Sequence, residues 1–146
     1  MALHIAEKSP TLMPDDSEGR ARARTWVFAA INSIEPHIQN LITIDLFNSD
    51  KAWAIERRPE ALAIVKDRLD KLNVWMKGKQ YLEGDRFTVG DLMMTTVLRS
   101  LRTTDILTED FSQLEAYRLR CEARPAFKRA LDGQMNAFKE NAPSAK

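Results

Sequence analysis

The run Phe87-Thr88-Val89-Gly90-Asp91-Leu92 constrains this chain more than any other stretch. A threonine hydroxyl can cap the free N–H groups that open a helix. An acidic side chain three residues on can reach back to the backbone N–H of that threonine. Phe87 before the cap and Leu92 after it have the spacing of a hydrophobic staple. A helix therefore starts at residue 89. The cap needs Thr88 and Asp91 whatever the protein does, so both are read as structural and not catalytic.

The rest of the chain supports an all-α fold. Residues 2–8 read as a short helical stub, broken by Ser9-Pro10 and Met13-Pro14 because proline disfavours helix in the residue before it. Asp15, Asp16 or Ser17 can cap the next helix. From Glu18 to about Phe47, residues Trp26, Ala30, Ile34, Ile38, Leu41 and Leu46 recur at near-helical spacing. Pro36 lies inside this pattern and should kink the helix without ending it. A further helix is expected to open at Pro59 and bury Leu62, Val65, Leu69, Leu72 and Met76, with Gly78 closing it. Tyr81 to Arg86 is a loop. The capped helix should run to about Thr103, and another from Phe111 to Ala123. A last helix opens at Pro125 and should turn Phe127, Ala130, Leu131, Met135 and Phe138 inward. A frayed tail is expected from Asn141 to Lys146. No strand pattern is visible, so the expectation is a helical bundle of about five main helices plus the stub.

Length and charge exclude several function classes. The 146 residues carry 22 basic and 21 acidic side chains for a net charge of +1, which offers no electrostatic footprint for nucleic acid. No stretch approaches the roughly 18 apolar residues of a membrane span. One cysteine rules out an internal disulfide and fits a reducing compartment, so the expected location is the cytoplasm.

Four segments, in order, resemble the C-terminal helical domain of the glutathione S-transferase family. Leu3 to Lys8 is similar to the end of the last helix of that family's first domain. Pro14-Asp15-Asp16 through Arg24-Thr25-Trp26, with Ile31-Asn32-Ser33-Ile34-Glu35-Pro36, is similar to the interdomain linker and long helix. Tyr81-Leu82 through Asp91 is similar to the loop and capped helix. Tyr117, Arg120 and Arg124-Pro125-Ala126-Phe127 are similar to the passage into the final helix. The resemblance implies two parts, residues 1–14 as a remnant of a preceding domain and residues 15–146 as the helical domain. Two positions depart from the family pattern. Gly90 stands where alanine is usual, and Glu35 where many bacterial members have histidine.

The function implied by the resemblance is divided between two domains. Glutathione, as co-substrate, and the hydroxyl or thiol that activates it belong to a thioredoxin-like domain that precedes the helices in the family, so this chain alone is expected to be inactive and to bind no cofactor. In the intact protein the helical domain would supply an apolar wall for a hydrophobic electrophile, and the protein would be a homodimer serving detoxification. Candidate wall residues are Trp26, Ala30, Ser33, His37, Thr96 and Arg99, with no catalytic residue and no metal site. The alternative is a non-catalytic protein-interaction module of the same fold. His4 and His37 lack metal-ligand spacing. Cys121 lies near Arg120 and Arg124, which could lower its pKa and favour modification by electrophiles. Of Arg99 and Arg102, one is expected to be buried against Asp45, Asp105 or Glu115, with a role in the cleft as the alternative. Trp26, Trp53 and Trp75 read as core or interface anchors.

Overall fold

The computed structural model describes residues 1–141 and is built from helices joined by turns and loops, with no strand among these residues. Only two isolated bridges, Tyr81 with Gly84 and Glu83 with Arg86, tighten one loop. The tail expected beyond Asn141 lies outside the described residues.

The stub α1 (Ala2–Ala6) and a turn lead into α2 (Ser17–Phe28), where the Asp16 carboxylate accepts from the Gly19 N–H at 2.6 Å. The helical path then continues through a widened π turn (Ala29–Ile34), α3 (Glu35–Ile42) and a second π turn (Thr43–Phe47). Pro36 explains the first widening. It offers no N–H to Asn32, and its ring crowds that carbonyl, so the turn before it opens instead of breaking. Ile34 carries the distortion, with φ −118°. Leu46 is not inward as expected but 68% exposed, because Ile44, three residues after Leu41, takes the buried place.

Helix α4 (Ala52–Met76) begins seven residues before the expected start at Pro59. Proline is tolerated inside it because Pro59 is exposed, and the Ile55 carbonyl it leaves free sits on a 62%-exposed residue that water can reach. Arg58 also clamps this first half to the long helix, donating twice to Asp45 at 2.7 and 3.0 Å. Val65, Leu69, Leu72 and Met76 are buried as expected, while Leu62 is half-buried. Gly78 ends the helix at φ +75°, a conformation that favours glycine.

Helix α5 (Val89–Leu98) is central and buried except at Leu92, Met93 and Thr96, and a 3₁₀ turn (Arg99–Leu101) extends it. A third π turn (Ile106–Asp110) precedes α6 (Ser112–Glu122). The last helix, α7 (Pro125–Glu140), departs from expectation. Phe127 and Leu131 are half-buried, but Ala130 is exposed, as are Met135 (46%) and Phe138 (73%). Periodicity identifies the apolar stripe of a helix but not whether anything lies beneath it, and nothing in the described chain reaches the second half of α7.

Two cores result. The larger joins the long helix, α4, α5 and α6. The smaller gathers Ala6, Met13, Ala23, Val27 and Val89, so the stub packs on the bundle. It is pinned there by Val89 N–H to the Leu12 carbonyl (2.9 Å) and by Arg86 to the Pro10 and Met13 carbonyls.

The capping box forms as read. Thr88 Oγ1 accepts from the Gly90 N–H at 3.2 Å, and Asp91 Oδ2 accepts from the Thr88 N–H at 2.8 Å. Asp91 also accepts from the Leu82 N–H (2.8 Å) and the Tyr117 hydroxyl (2.9 Å). Removing the cap alone should cost about 1 kcal/mol, whereas Asp91→Ala strands several buried donors and should cost roughly 3 kcal/mol or more. Urea unfolding of Thr88→Ala and Asp91→Ala proteins would measure this ordering; equal losses would refute the wider role of Asp91.

Candidate functional site

Two openings hold four of the six candidate wall residues. The first lies between the long helix and α4 and has a volume of about 250 Å³, with Trp26, Ala29 and Ser33 on one side and Arg68, Lys71 and Trp75 on the other. The two indole rings form a tilted pair, with centroids 5.1 Å apart and planes at 50°. Both indole N–H groups are engaged. Trp26 donates to Glu83 Oε1 at 2.9 Å, and Trp75 donates to the Leu82 carbonyl at 3.0 Å. The ammonium of Lys79 sits 4.1 Å from the Trp75 ring centroid.

Gly90 makes this arrangement possible. A Cβ built on it would stand 2.6 Å from the Cβ of Trp26, a contact that neither residue can relieve by rotating a side chain. The glycine found where the resemblance leads one to expect alanine therefore lets α2 and α5 approach closely enough to seat Trp26.

The second opening lies between α5 and α7, again with a volume of about 250 Å³, and holds Thr96 and Arg99 with Phe127, Leu131 and Gln134. Arg99 stacks over Phe127 at 5.3 Å and pairs with Glu122 at 3.1 Å. Glu122 also binds the buried Arg118, which is held a second time by Glu115. Arg99 is thus structurally paired as expected, but with Glu122 in place of Asp45, Asp105 or Glu115. Arg102 stays exposed and donates to the Arg99 carbonyl. The Thr96 hydroxyl turns back to the Leu92 carbonyl at 2.8 Å.

Beside this groove is a smaller cavity of about 160 Å³ whose lining includes Phe87, Leu92, Thr95 and Cys121. Phe87 packs edge-on against Tyr81 and carries the Arg124 guanidinium 3.5 Å from its ring centroid. Cys121 is buried, and burial pushes its thiol up to about 11. The neighbouring arginines do not bring it below its ordinary value. Arg120 turns outward to the Gln80 carbonyl and Arg124 lies over Phe87, so desolvation dominates.

The remaining candidates fall elsewhere. Ala30 is fully buried in the larger core, and His37 is half-buried on α3 and lines neither opening. Trp53 is 47% exposed. No cluster of His, Cys, Asp or Glu among the described residues could hold a metal ion, and no helix there is long and apolar enough to cross a membrane. Arg68, Lys71 and Trp75 do not stand out together in the sequence. Their spacing of three, four and seven along α4 puts them on one face, and that is the only local signal of their meeting.

Residues 36–125 match the family profile described as "Glutathione S-transferase, C-terminal domain". The chain belongs to the glutathione S-transferase family through this domain. Solved structures share the fold. One is a glutathione transferase from Burkholderia graminis with two glutathione molecules bound per subunit (TM-score 0.81, 23% identity, 99% of this chain and 59% of that one). Another is a glutathione transferase family member from Pseudomonas fluorescens Pf-5 with two glutathione bound (TM-score 0.80, 19% identity, 89% of this chain and 60% of that one). A third is BphK, a bacterial member, in a ternary complex (TM-score 0.74, 22% identity, 89% of this chain and 63% of that one). This chain therefore spans about three-fifths of the length of each. A comparison with curated protein sequences finds no significant match.

This geometry makes two measurements decisive. Gly90→Ala forces Trp26 away and should lower stability by about 1–3 kcal/mol despite the better helix propensity of alanine; an unchanged or higher melting temperature would contradict the packing argument. The Cys121 thiol titrates near 11 when folded against 9.0 ordinarily. The unfolded chain then releases its proton first as pH rises, so this thiol's contribution to stability is intact below about pH 9 and is lost between 9 and 11. A Cys121→Ala protein should lack that part of the decline in unfolding free energy.

Proposed function

We propose that this chain is the electrophile-binding helical domain of a glutathione S-transferase. The observation that carries the reading is the family match over residues 36–125 on a fold shared with structures that hold glutathione. In the intact protein, a thioredoxin-like first domain would bind glutathione as co-substrate and lower the pKa of its thiol. Residues 1–14 would be the remnant of that domain's last helix and the linker, and 15–146 the helical domain. The helical domain would hold a hydrophobic electrophile beside the sulfur, a contribution of proximity and choice, not of acid–base chemistry.

Of the six candidates, the proposed wall is Trp26 and Ser33 from the long helix with Thr96 and Arg99 from α5 and the turn that extends it, while Ala30 is closed off in the larger core and His37 lines neither opening. Trp26 and Ser33 share one opening, and Thr96 and Arg99 the other. The intact enzyme would be a cytoplasmic homodimer acting in detoxification, and the present chain alone would be inactive. A non-catalytic interaction module is the rival reading. It is favoured by exposed apolar side chains such as Phe47 (75%) and Phe138 (73%).

The test begins with the intact mass of the native protein from its own cells. A species near 16.7 kDa with no glutathione conjugation activity would support the module. A species larger by about a hundred residues that conjugates 1-chloro-2,4-dinitrobenzene would support the enzyme. In that enzyme, Thr96→Leu should change kcat/KM for the electrophile roughly tenfold with the KM for glutathione unaltered. A matched change in both would remove Thr96 from the electrophile's wall.

A further inference from the structure

Residues 1–14 rest on the bundle through few contacts. The segment contributes two buried side chains, Ala6 and Met13, to the smaller core. Its polar ties include the Val89 N–H on the Leu12 carbonyl and a half-exposed ion pair between Glu7 and Arg24 at 2.7 Å. The strongest is Arg86, whose Nη2 donates to the Pro10 and Met13 carbonyls at 2.9 and 3.0 Å. A piece of chain with so little buried surface is where a folded protein opens locally first. Two states are therefore open to it, docked and released.

Arg86 ends a loop that is stiff. Tyr81 and Gly84 exchange N–H···O bonds of 2.7 and 3.1 Å, Glu83 bridges to Arg86, and Gly84 turns the chain at φ +79°. Tyr81 also packs edge-on against Phe87. The other side of the same loop holds the indoles. Glu83 accepts from Trp26 at 2.9 Å and from Arg22 at 2.6 Å, and the Leu82 carbonyl accepts from Trp75 at 3.0 Å. A short series of bonds thus runs from the carbonyls of residues 10 and 13, through Arg86 and the loop, to the tilted aromatic pair.

We propose that the docking of residues 1–14 and the geometry of the Trp26–Trp75 pair are one coupled equilibrium, with Arg86 the positioning residue that joins them. On release of the segment the guanidinium loses both acceptors and turns to water. The loop loses its anchor at that end, and Glu83 and Leu82 shift the indoles they hold. Such coupling is reciprocal, so loosening the indole end loosens the segment in turn. The segment also reaches Trp26 along α2, so the decisive variants act on the loop alone. The inference uses only contacts within this chain, and it stands or falls apart from the transferase reading.

The experiment uses the 146-residue chain with Trp53→Phe, so that Trp26 and Trp75 are the tryptophans that remain. Release is read as the rate at which trypsin removes residues 1–8 by cutting after Lys8. That residue is exposed, but when docked its N–H is bonded to Ile5 and that of Ser9 to Ala6. The pair is read by near-ultraviolet circular dichroism, which is sensitive to the mutual orientation of two indoles 5.1 Å apart. Arg86→Gln should speed the trimming at least about tenfold, the size of lost hydrogen bonds to a charged donor, and should diminish the near-ultraviolet signal. Arg86→Lys keeps a charged donor and should return both readouts toward the parent. Glu83 makes no hydrogen bond or ion pair to residues 1–14 among the described residues. Glu83→Gln should nevertheless speed the trimming at least about threefold, above the scatter of independent sites.

Faster trimming of Arg86→Gln with an unchanged near-ultraviolet signal would overturn the proposal, because the clamp and the pair would then be independent. Trimming of Glu83→Gln at the parent rate would overturn it from the other end. Far-ultraviolet circular dichroism checks that each variant is folded; should Arg86→Gln fail to fold, the trimming rate of Glu83→Gln decides.

Discussion

Asp91 is the point on which the rest of the bundle depends. It is fully buried, yet its carboxylate accepts from the Thr88 N–H, the Thr88 hydroxyl, the Leu82 N–H and the Tyr117 hydroxyl. Burial raises its pKa, and these donors pull the other way. One side chain thereby joins three pieces of chain: the start of α5, the Tyr81–Arg86 loop and α6. The loop position it sets has consequences further out. The carbonyl of Leu82 receives the Trp75 indole, and Glu83 receives both Trp26 and Arg22. The aromatic cleft is thus assembled at one remove from a helix cap.

For the same reason the cap is legible in the sequence and the cleft only partly so. A capping box is local, with threonine and aspartate three residues apart, and its chemistry needs no knowledge of the fold. The reach of Asp91 to Leu82 and Tyr117 spans up to 26 residues and leaves no mark on either end. Trp26 and Ser33 are visible because they ride on the long helix, whose apolar period announces it. Arg68, Lys71 and Trp75 lie on α4, where the period marks the buried stripe and leaves the adjoining face looking solvated. The early start of α4 is hidden for a related reason. Proline reads most simply as a helix beginning, and only the exposure of Pro59 shows that a helix can run through it. The stripe of α7 is plain in the sequence, but the absence of anything beneath its second half is a property of the assembled chain.

The charged residues divide into two roles that sequence spacing does not separate. Arg118, Glu115, Glu122 and Arg99 form a neutral cluster that ties the end of α5 to α6, each charge compensated where it is shielded from water. Arg20, Arg22 and Arg24 look like a basic run but disperse to the Pro14 carbonyl, Glu83 and Glu7, three separate anchors.

Of the two departures from the pattern that the resemblance leads one to expect, the one at residue 90 answers to the local helix geometry. Glutamate at 35 sits inside a continuous helical path, where the α-helical turn resumes after the widened turn, and nothing in the structure explains that exchange. Glycine at 90 admits the Trp26 side chain at a distance that alanine would forbid, so the helix-weakening residue is compensated by closer packing between α2 and α5.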